Sequence, residues 1–407
     1  MRIEELPRGG ELGREELEAL RLLLESGDSL AFGSLRERFA VAFAKSCGAA
    51  ASVTCNSGTS ALWVAAQALG VGPGDEVVVC AQSYRATAMA PLACGARLRF
   101  ADIDPATLNV SPESLARLVH KGTKAIFVTH YGGNPVDMDP VLDIARTFGV
   151  PVVEDAAHAP GAVYRGRTVG SLGDITCFSF HSLKNMTTLG EGGMLTFRDP
   201  DLAMRAWRLC NVGVLFESTP RPEAALGPWR MASPPLLDHA DGSFERDAAP
   251  DMRVGLNLRL TEAQAAVGLV QLDKLAGFNS RRRAVAARYD RLLGELPQLA
   301  LWQTTPGAES VFHLYPVFLR QASQQQHDDL CNFLHHEKGV TIIQRYFPLH
   351  LLNFIRAHGH GPGECPVCEE VFFRQQVNLP IHPGLTEDQT VYVTEALREG
   401  LAVVGLT

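Results

Sequence analysis

The sequence predicts an α/β chain: a mostly parallel seven-stranded sheet sandwiched by helices, followed by a smaller C-terminal α+β domain. Three observations carry this expectation. Short apolar runs recur from about residue 50 and are spaced by helical patterns, the signature of βαβ units covered on both faces. After about residue 260 the texture changes to one long helix and an alternating run. At 407 residues the chain also exceeds one ordinary domain.

The elements follow in order. A helical pattern with Glu15, Leu17, Leu20, Leu22 and Leu23 opens the chain, and a second helix begins at Leu35. Residues 51–55 read as a strand and 61–69 as a helix. The alternation continues with strand 75–80 and helix 86–94, strand 97–100 and helix 112–119, strand 124–130 and helix 140–148. Strands at 151–155, 174–179 and 193–197 complete the seven. Residues 214–252 hold six Pro, several charges and little periodicity, so this stretch is either a surface insertion or a lid or subunit contact. A long helix then runs from Thr261 to Leu293, with Gly294 as its stop signal. Residues 310–319 alternate like a half-buried strand. A helix at 325–337, a short strand at 341–343 and a closing helix at 387–403 follow. The expected division is an N-terminal segment and large domain over 1–260, and a small domain over 261–407.

Composition narrows the function classes. Lys and Arg number 37 against 45 Asp and Glu, a formal net charge of −8, which argues against nonspecific nucleic-acid or anionic-membrane binding. The N-terminus has no apolar signal core, and the apolar runs are too broken to span a membrane. Nine Cys, several inside strand-like segments, point to buried free thiols in a reducing, cytoplasmic setting. Cys365 and Cys368 form a lone CxxC near His358 and His360; without a second pair it does not make a zinc site, and no metal is expected.

Two residues carry the chemistry. Asp155 ends one strand, and Lys184 lies just past another. An amine and a carboxylate at the ends of buried strands suit pyridoxal phosphate (PLP): the amine forms a Schiff base with the aldehyde, and the carboxylate keeps the pyridine nitrogen protonated. Residues 56–61 join a strand to a helix, and such a turn presents backbone N–H groups and a positive dipole end to a phosphate. Thr59 and Ser60 add hydroxyls there, and Ser179 adds another from its strand end. Plain helix capping accounts for the same serines and threonines. Tyr84 closes a strand where an aromatic can stack on a flat ring or simply cover the sheet end. Asp155 can cap the next turn as well as meet a cation, and His158 lies about one turn further on.

Residues 56–62 (NSGTSAL), 152–162 (VVEDAAHAPGA), 178–195 (FSFHSLKNMTTLGEGGML) and 255–266 (GLNLRLTEAQAA) resemble the DegT/StrS-type PLP-dependent sugar aminotransferases. The resemblance covers nearly the whole chain and implies the fold-type I aminotransferase architecture. It implies a homodimer with active sites shared between subunits. It makes Lys184 the Schiff-base lysine, Asp155 the partner of the ring nitrogen, Tyr84 the stacking ring, and His158 the residue beside the ring hydroxyl. Gly58, Thr59, Ser60 and Ser179 would hold the phosphate, with Asn257 and Arg259 reaching it from the neighbouring subunit. His313, Tyr315, Tyr346 and His350 match regions that often contact substrate, and Arg230 suits an acceptor-binding lid. The implied reaction moves an amino group from Glu or Gln to a keto sugar, nucleotide-linked, or to a cyclitol. Two other readings stay open: dehydration, deoxygenation or oxidation on the same fold and cofactor, and a noncatalytic regulatory protein.

Overall fold

The computed structural model describes residue 3 and residues 9–213 and 253–406. Seven strands form the main sheet: β1 (Ala51–Cys55), β2 (Glu76–Cys80), β3 (Arg97–Ala101), β4 (Thr123–Thr129), β5 (Val152–Asp155), β8 (Ile175–Ser179) and β9 (Gly193–Phe197). A small separate sheet joins β6 (Val163–Tyr164), β7 (Arg167–Thr168) and β11 (Ala308–Glu309). The main sheet runs β1-β9-β8-β5-β4-β2-β3, and only β9 runs against the rest. This is the mostly parallel seven-stranded sheet that the sequence predicts.

Helices α1 (Arg14–Ser26), α2 (Leu35–Cys47), α3 (Gly58–Ala68), α4 (Ala86–Ala93), α5 (Pro112–Leu118), α6 (Met138–Phe148) and α7 (Pro200–Cys210) precede the long α8 (Glu262–Leu293). Alternate residues of each strand feed opposite faces. Val77 and Val79 of β2 join the core under α3, α4 and α7, whereas Val78 and Cys80 join the core under α2, α5, α6 and the start of α8. Both faces are therefore dry, and the central β5, β8 and β9 are buried at every position. That is why their sequences lack the regular apolar–polar alternation of a strand with one wet face.

A smaller lobe packs a sheet of β10 (Leu299–Leu301), β12 (Tyr315–Leu319) and β13 (Gln376–Leu379) against the second half of α8. Helix α9 (Gln324–Asn332), the short α10 (Asn353–Arg356) and α11 (Pro366–Glu370), and the closing α12 (Glu387–Val403) complete the α-helices among the described residues. Thr261 and Gln264 form a capping box that starts α8, and α8 ends at the expected Gly294. Helix α8 enters both cores: Ala265 and Leu275 pack with the large sheet, Val285 and Leu293 with the small lobe.

Two local expectations fail. Residues 341–343 form no strand; only Val340 pairs, with Ile3, and the chain then turns toward the cleft between the lobes. The run 310–319 is not half-buried. Its strand starts at Tyr315 and is buried throughout, because β12 is the middle strand of its sheet. All nine Cys are free thiols, eight of them buried. Among the described residues no helix is long and apolar enough to cross a membrane.

Candidate active site

The carboxyl ends of the main-sheet strands converge on one cavity of about 330 Å³, where open parallel sheets present ligand-binding residues. The turn after β1 supplies Ser57, Gly58 and Thr59; the turn after β2 supplies Ser83 and Tyr84. Thr129 ends β4, Asp155 ends β5, and β8 contributes Ser179 and, beyond it, Lys184. His313, Arg345 and Tyr346 close the cavity from the smaller lobe. Lys184 and Asp155, far apart in sequence, thus line a single space.

Asp155 is almost fully buried. One carboxylate oxygen accepts from Thr87 Oγ1 at 2.5 Å, and the other from the Ala157 N–H at 3.1 Å. The aspartate therefore caps its turn and also faces the cavity. Burial pushes its carboxyl up from the ordinary range; the Thr87 and Ala157 hydrogen bonds and the Lys184 ammonium pull it back.

His158 Nε2 and the Tyr346 hydroxyl share a hydrogen bond of 3.0 Å. Its ring stacks on His313 at 4.3 Å. Asn185 spends its amide N–H groups on Asn279 Oδ1 and Val311 O, leaving its oxygen to accept from His313 Nδ1 at 3.1 Å. Burial, with the Lys184 charge nearby, holds both imidazoles well below their usual range, so the pair is neutral.

The phosphate-cradle expectation holds in part. A Cβ on Gly58 would lie 2.7 Å from Ser179 Cβ, so only glycine lets these two turns approach so closely. Thr59 lines the cavity, but Ser60 does not. Its hydroxyl is one turn into α3 and bonds back to Asn56 Oδ1 at 2.7 Å, while Ser57 takes the lining position. Tyr84 is half exposed and sits edge-on to Tyr346 at 6.0 Å.

Other candidates lie elsewhere. Tyr315 donates to Asp290 at 2.5 Å and packs on Tyr289 inside the small lobe; a middle-strand position turns it into core. His350 is buried against Phe100 and bonded to Glu369 at 2.9 Å, outside the cavity. Asn257 is exposed and paired with Asn211, and Arg259 lies over the Phe32 ring; neither lines this chain's cavity. Arg230 and the rest of 214–252 lie outside the described residues. The CxxC turns inward: the Val367 and Cys368 N–H groups donate to the Asp102 carboxylate at 2.9 and 2.8 Å. Among the described residues no three His, Cys, Asp or Glu side chains gather into a metal cluster.

Sequence reasoning missed Ser57, Thr87 and Arg345. Ser57 was visible as a cap residue inside the cradle. Thr87 and Arg345 carry no local signal, because Asp155 lies 68 residues from Thr87 and the cleft brings Arg345 in from the other lobe.

These residues fit a flat, phosphorylated pyridine. The turn between Ser57 and Ser179 admits no Cβ, Asp155 offers a buried carboxylate to a cationic ring nitrogen, and His158 Nδ1 is buried with no partner among the described residues.

The comparisons agree with that chemistry. The dTDP-4-dehydro-2,3,6-trideoxy-D-glucose 4-aminotransferase of Saccharopolyspora spinosa is 32% identical over 395 residues, 96% of this chain and 95% of that one. The crystal structure of the aminotransferase TlmJ from Streptoalloteichus hindustanus matches with a TM-score of 0.84 and 34% identity, over 98% of this chain and 99% of that one. DesV of S. venezuelae, solved in complex with a ketimine intermediate, matches with a TM-score of 0.80 and 33% identity, over 95% and 94% of the two chains. The pattern of the DegT/DnrJ/EryC1/StrS aminotransferase family spans residues 11–398, so the chain belongs to this family of PLP-dependent aminotransferases.

Proposed function

We propose that this cavity transfers an amino group to a keto sugar, nucleotide-linked, or to a related cyclitol, with Glu or Gln as donor and Lys184 and Asp155 as the catalytic pair. One observation carries the reading: an amine and a buried, hydrogen-bonded carboxylate line the same cavity beside two neutral imidazoles. PLP, when bound, supplies the carbonyl that carries the amino group and the ring that accepts electrons. Lys184 Nζ holds the cofactor and moves the proton at the substrate carbon. The Asp155 carboxylate holds a proton on the ring nitrogen. The Ser57–Thr59 turn, the N-terminus of α3 and Ser179 grip the phosphate. Tyr84 covers the ring, and His158 donates from Nδ1 to the ring hydroxyl. His313, Tyr346 and Arg345 face the acceptor.

The homodimer belongs to the same reading. Asn257 and Arg259 lie outside their own cavity, and Leu17, Leu24, Phe32, Val254 and Leu256 expose apolar surface. The partner subunit would cover this surface, and Asn257 would serve the partner's site. Nine free thiols support a cytoplasmic setting. The large unit ends near residue 260 in this reading, with Ile3 contributing to the small one.

The test is a pair of half-reactions. Borohydride should fix PLP to the wild type but not to Lys184→Ala. The enzyme loaded with pyridoxamine phosphate should regain the aldehyde form with a keto sugar or cyclitol from a panel. Dehydration or oxidation products in place of an amino sugar, or cofactor fixed to a peptide lacking Lys184, overturn the proposal.

A further inference from the structure

Behind Asp155 lies a line of hydrogen bonds. Thr87 Oγ1 donates to the carboxylate at 2.5 Å. Ser83 Oγ is 2.7 Å from Thr87 Oγ1, Thr129 Oγ1 is 2.9 Å from Ser83 Oγ, and Cys80 Sγ is 3.1 Å from Thr129 Oγ1. All five residues are buried, and they come from β2 and the turn after it, the start of α4, the end of β4 and the end of β5. The other acceptor near the Cys80 thiol, Gln82 O, is farther away at 3.8 Å.

Each hydroxyl has one proton, and this sets the direction of the whole line. An ionised Asp155 can only accept, so the Thr87 proton points at it. Thr87 must then accept from Ser83, Ser83 from Thr129, and Thr129 from the Cys80 thiol. Four donor dipoles align toward one carboxylate, and each donation polarises the next. A protonated Asp155 would let the line reverse, so the line favours the anion. Burial pulls the other way.

We propose that Thr87, Ser83, Thr129 and Cys80 form a one-way donor relay that keeps Asp155 ionised toward the cofactor's ring nitrogen. Thr87 is its principal positioning residue. The relay rests on the PLP reading above. Among its members only Thr87 hydrogen-bonds the carboxylate, so the others act on Asp155 through Thr87; Ser83 and Thr129 also line the cavity, whereas Cys80 does not, which makes Cys80→Ala the cleaner outer variant.

The test separates hydrogen bonding from packing. Thr87→Val keeps the volume and loses the donor; Thr87→Ser keeps the donor and loses a methyl group. Thr87→Val should weaken PLP binding by about tenfold and lower kcat by about tenfold at little change in donor KM, the scale of one lost hydrogen bond to a charged group. The NMR shift of the isotope-labelled ring nitrogen should move toward the unprotonated value. Thr87→Ser should restore all three readouts. Thr129→Val and Cys80→Ala should move the same shift by less; they carry the test if Thr87→Val does not fold. A wild-type protein that binds no PLP sinks the underlying reading. Wild-type binding, with Thr87→Val unchanged in affinity and nitrogen shift, or Thr87→Ser as impaired as Thr87→Val, sinks the relay alone.

Discussion

At the residue scale the site is decided by what burial does to single groups. Asp155 is held between a dry environment that favours its neutral form and hydrogen bonds that favour its charge. Asp155→Asn retains the shape and a cap for Ala157 but removes the charge. It should fold with near-native stability and lose at least about a hundredfold in kcat, the scale of a lost electrostatic catalyst. Steady-state rates close to wild type would reduce the residue to a turn cap. Gly58 gives a second check. Its missing Cβ leaves room for Ser179: a Cβ there would lie 2.7 Å from Ser179 Cβ and 3.3 Å from its Cα, a backbone atom that cannot swing away. Gly58→Ala should cost about 1–3 kcal/mol from overpacking and weaken PLP binding. Denaturant melts with and without cofactor measure both effects, and an unchanged PLP affinity would remove Gly58 from the phosphate cradle.

At the element scale the long helix α8 links the two lobes. Arg282, midway along it, is buried and donates to the carbonyls of Gly9, Phe312 and Ile381 at 2.9, 3.2 and 3.1 Å. These carbonyls belong to the N-terminal segment, the irregular stretch before His313, and the loop after β13. One guanidinium, with donors fanned in a plane, serves all three from its two terminal nitrogens. Arg282→Met would fill similar space but leave three buried acceptors without their donor. It should lower stability by about 3 kcal/mol or more, and it should also disturb His313. A midpoint shift in urea worth less than about 1 kcal/mol would contradict that assignment.

At the scale of the whole molecule the lobes meet over neutral histidines. Burial holds His158 and His313 well below their usual range, and burial beside Arg282 holds His382 down to about 4. The unfolded chain protonates its histidines near about pH 6.5, so below that pH it takes up protons that the native state refuses. Stability should therefore fall as pH drops from about 6.5 toward 5, by up to about 1.4 kcal/mol per pH unit for each such group. Asp155, with its raised carboxyl, acts in the opposite sense. Melting curves of the cofactor-free protein should show the decline, and His313→Gln should flatten it; an equal slope in that variant would place the acid lability elsewhere. Assembly offers a further test. Inactive Lys184→Ala mixed with an impaired Asn257→Ala variant should regain activity, because some hybrid dimers hold one intact site. No regain after verified subunit exchange would confine each site to one chain.

The sequence by itself determined the seven strands of the main sheet, the helices between them, and the residues at the strand ends. Apolar run length, helical spacing, capping residues such as Thr261 and the stop at Gly294 are local signals that survive without a fold. Lys184, Asp155, Gly58 and Ser179 were legible because chemistry and motif order mark them. Tertiary structure decided the rest. It turned Tyr315 and His350 into packing residues, since their polar groups met Asp290 and Glu369 inside the protein. It withdrew Ser60 in favour of Ser57, because helix rotation sets which hydroxyl faces the cavity. It brought Arg345 across the cleft and set Thr87 beneath Asp155, contacts between residues too distant in sequence for any local pattern to record.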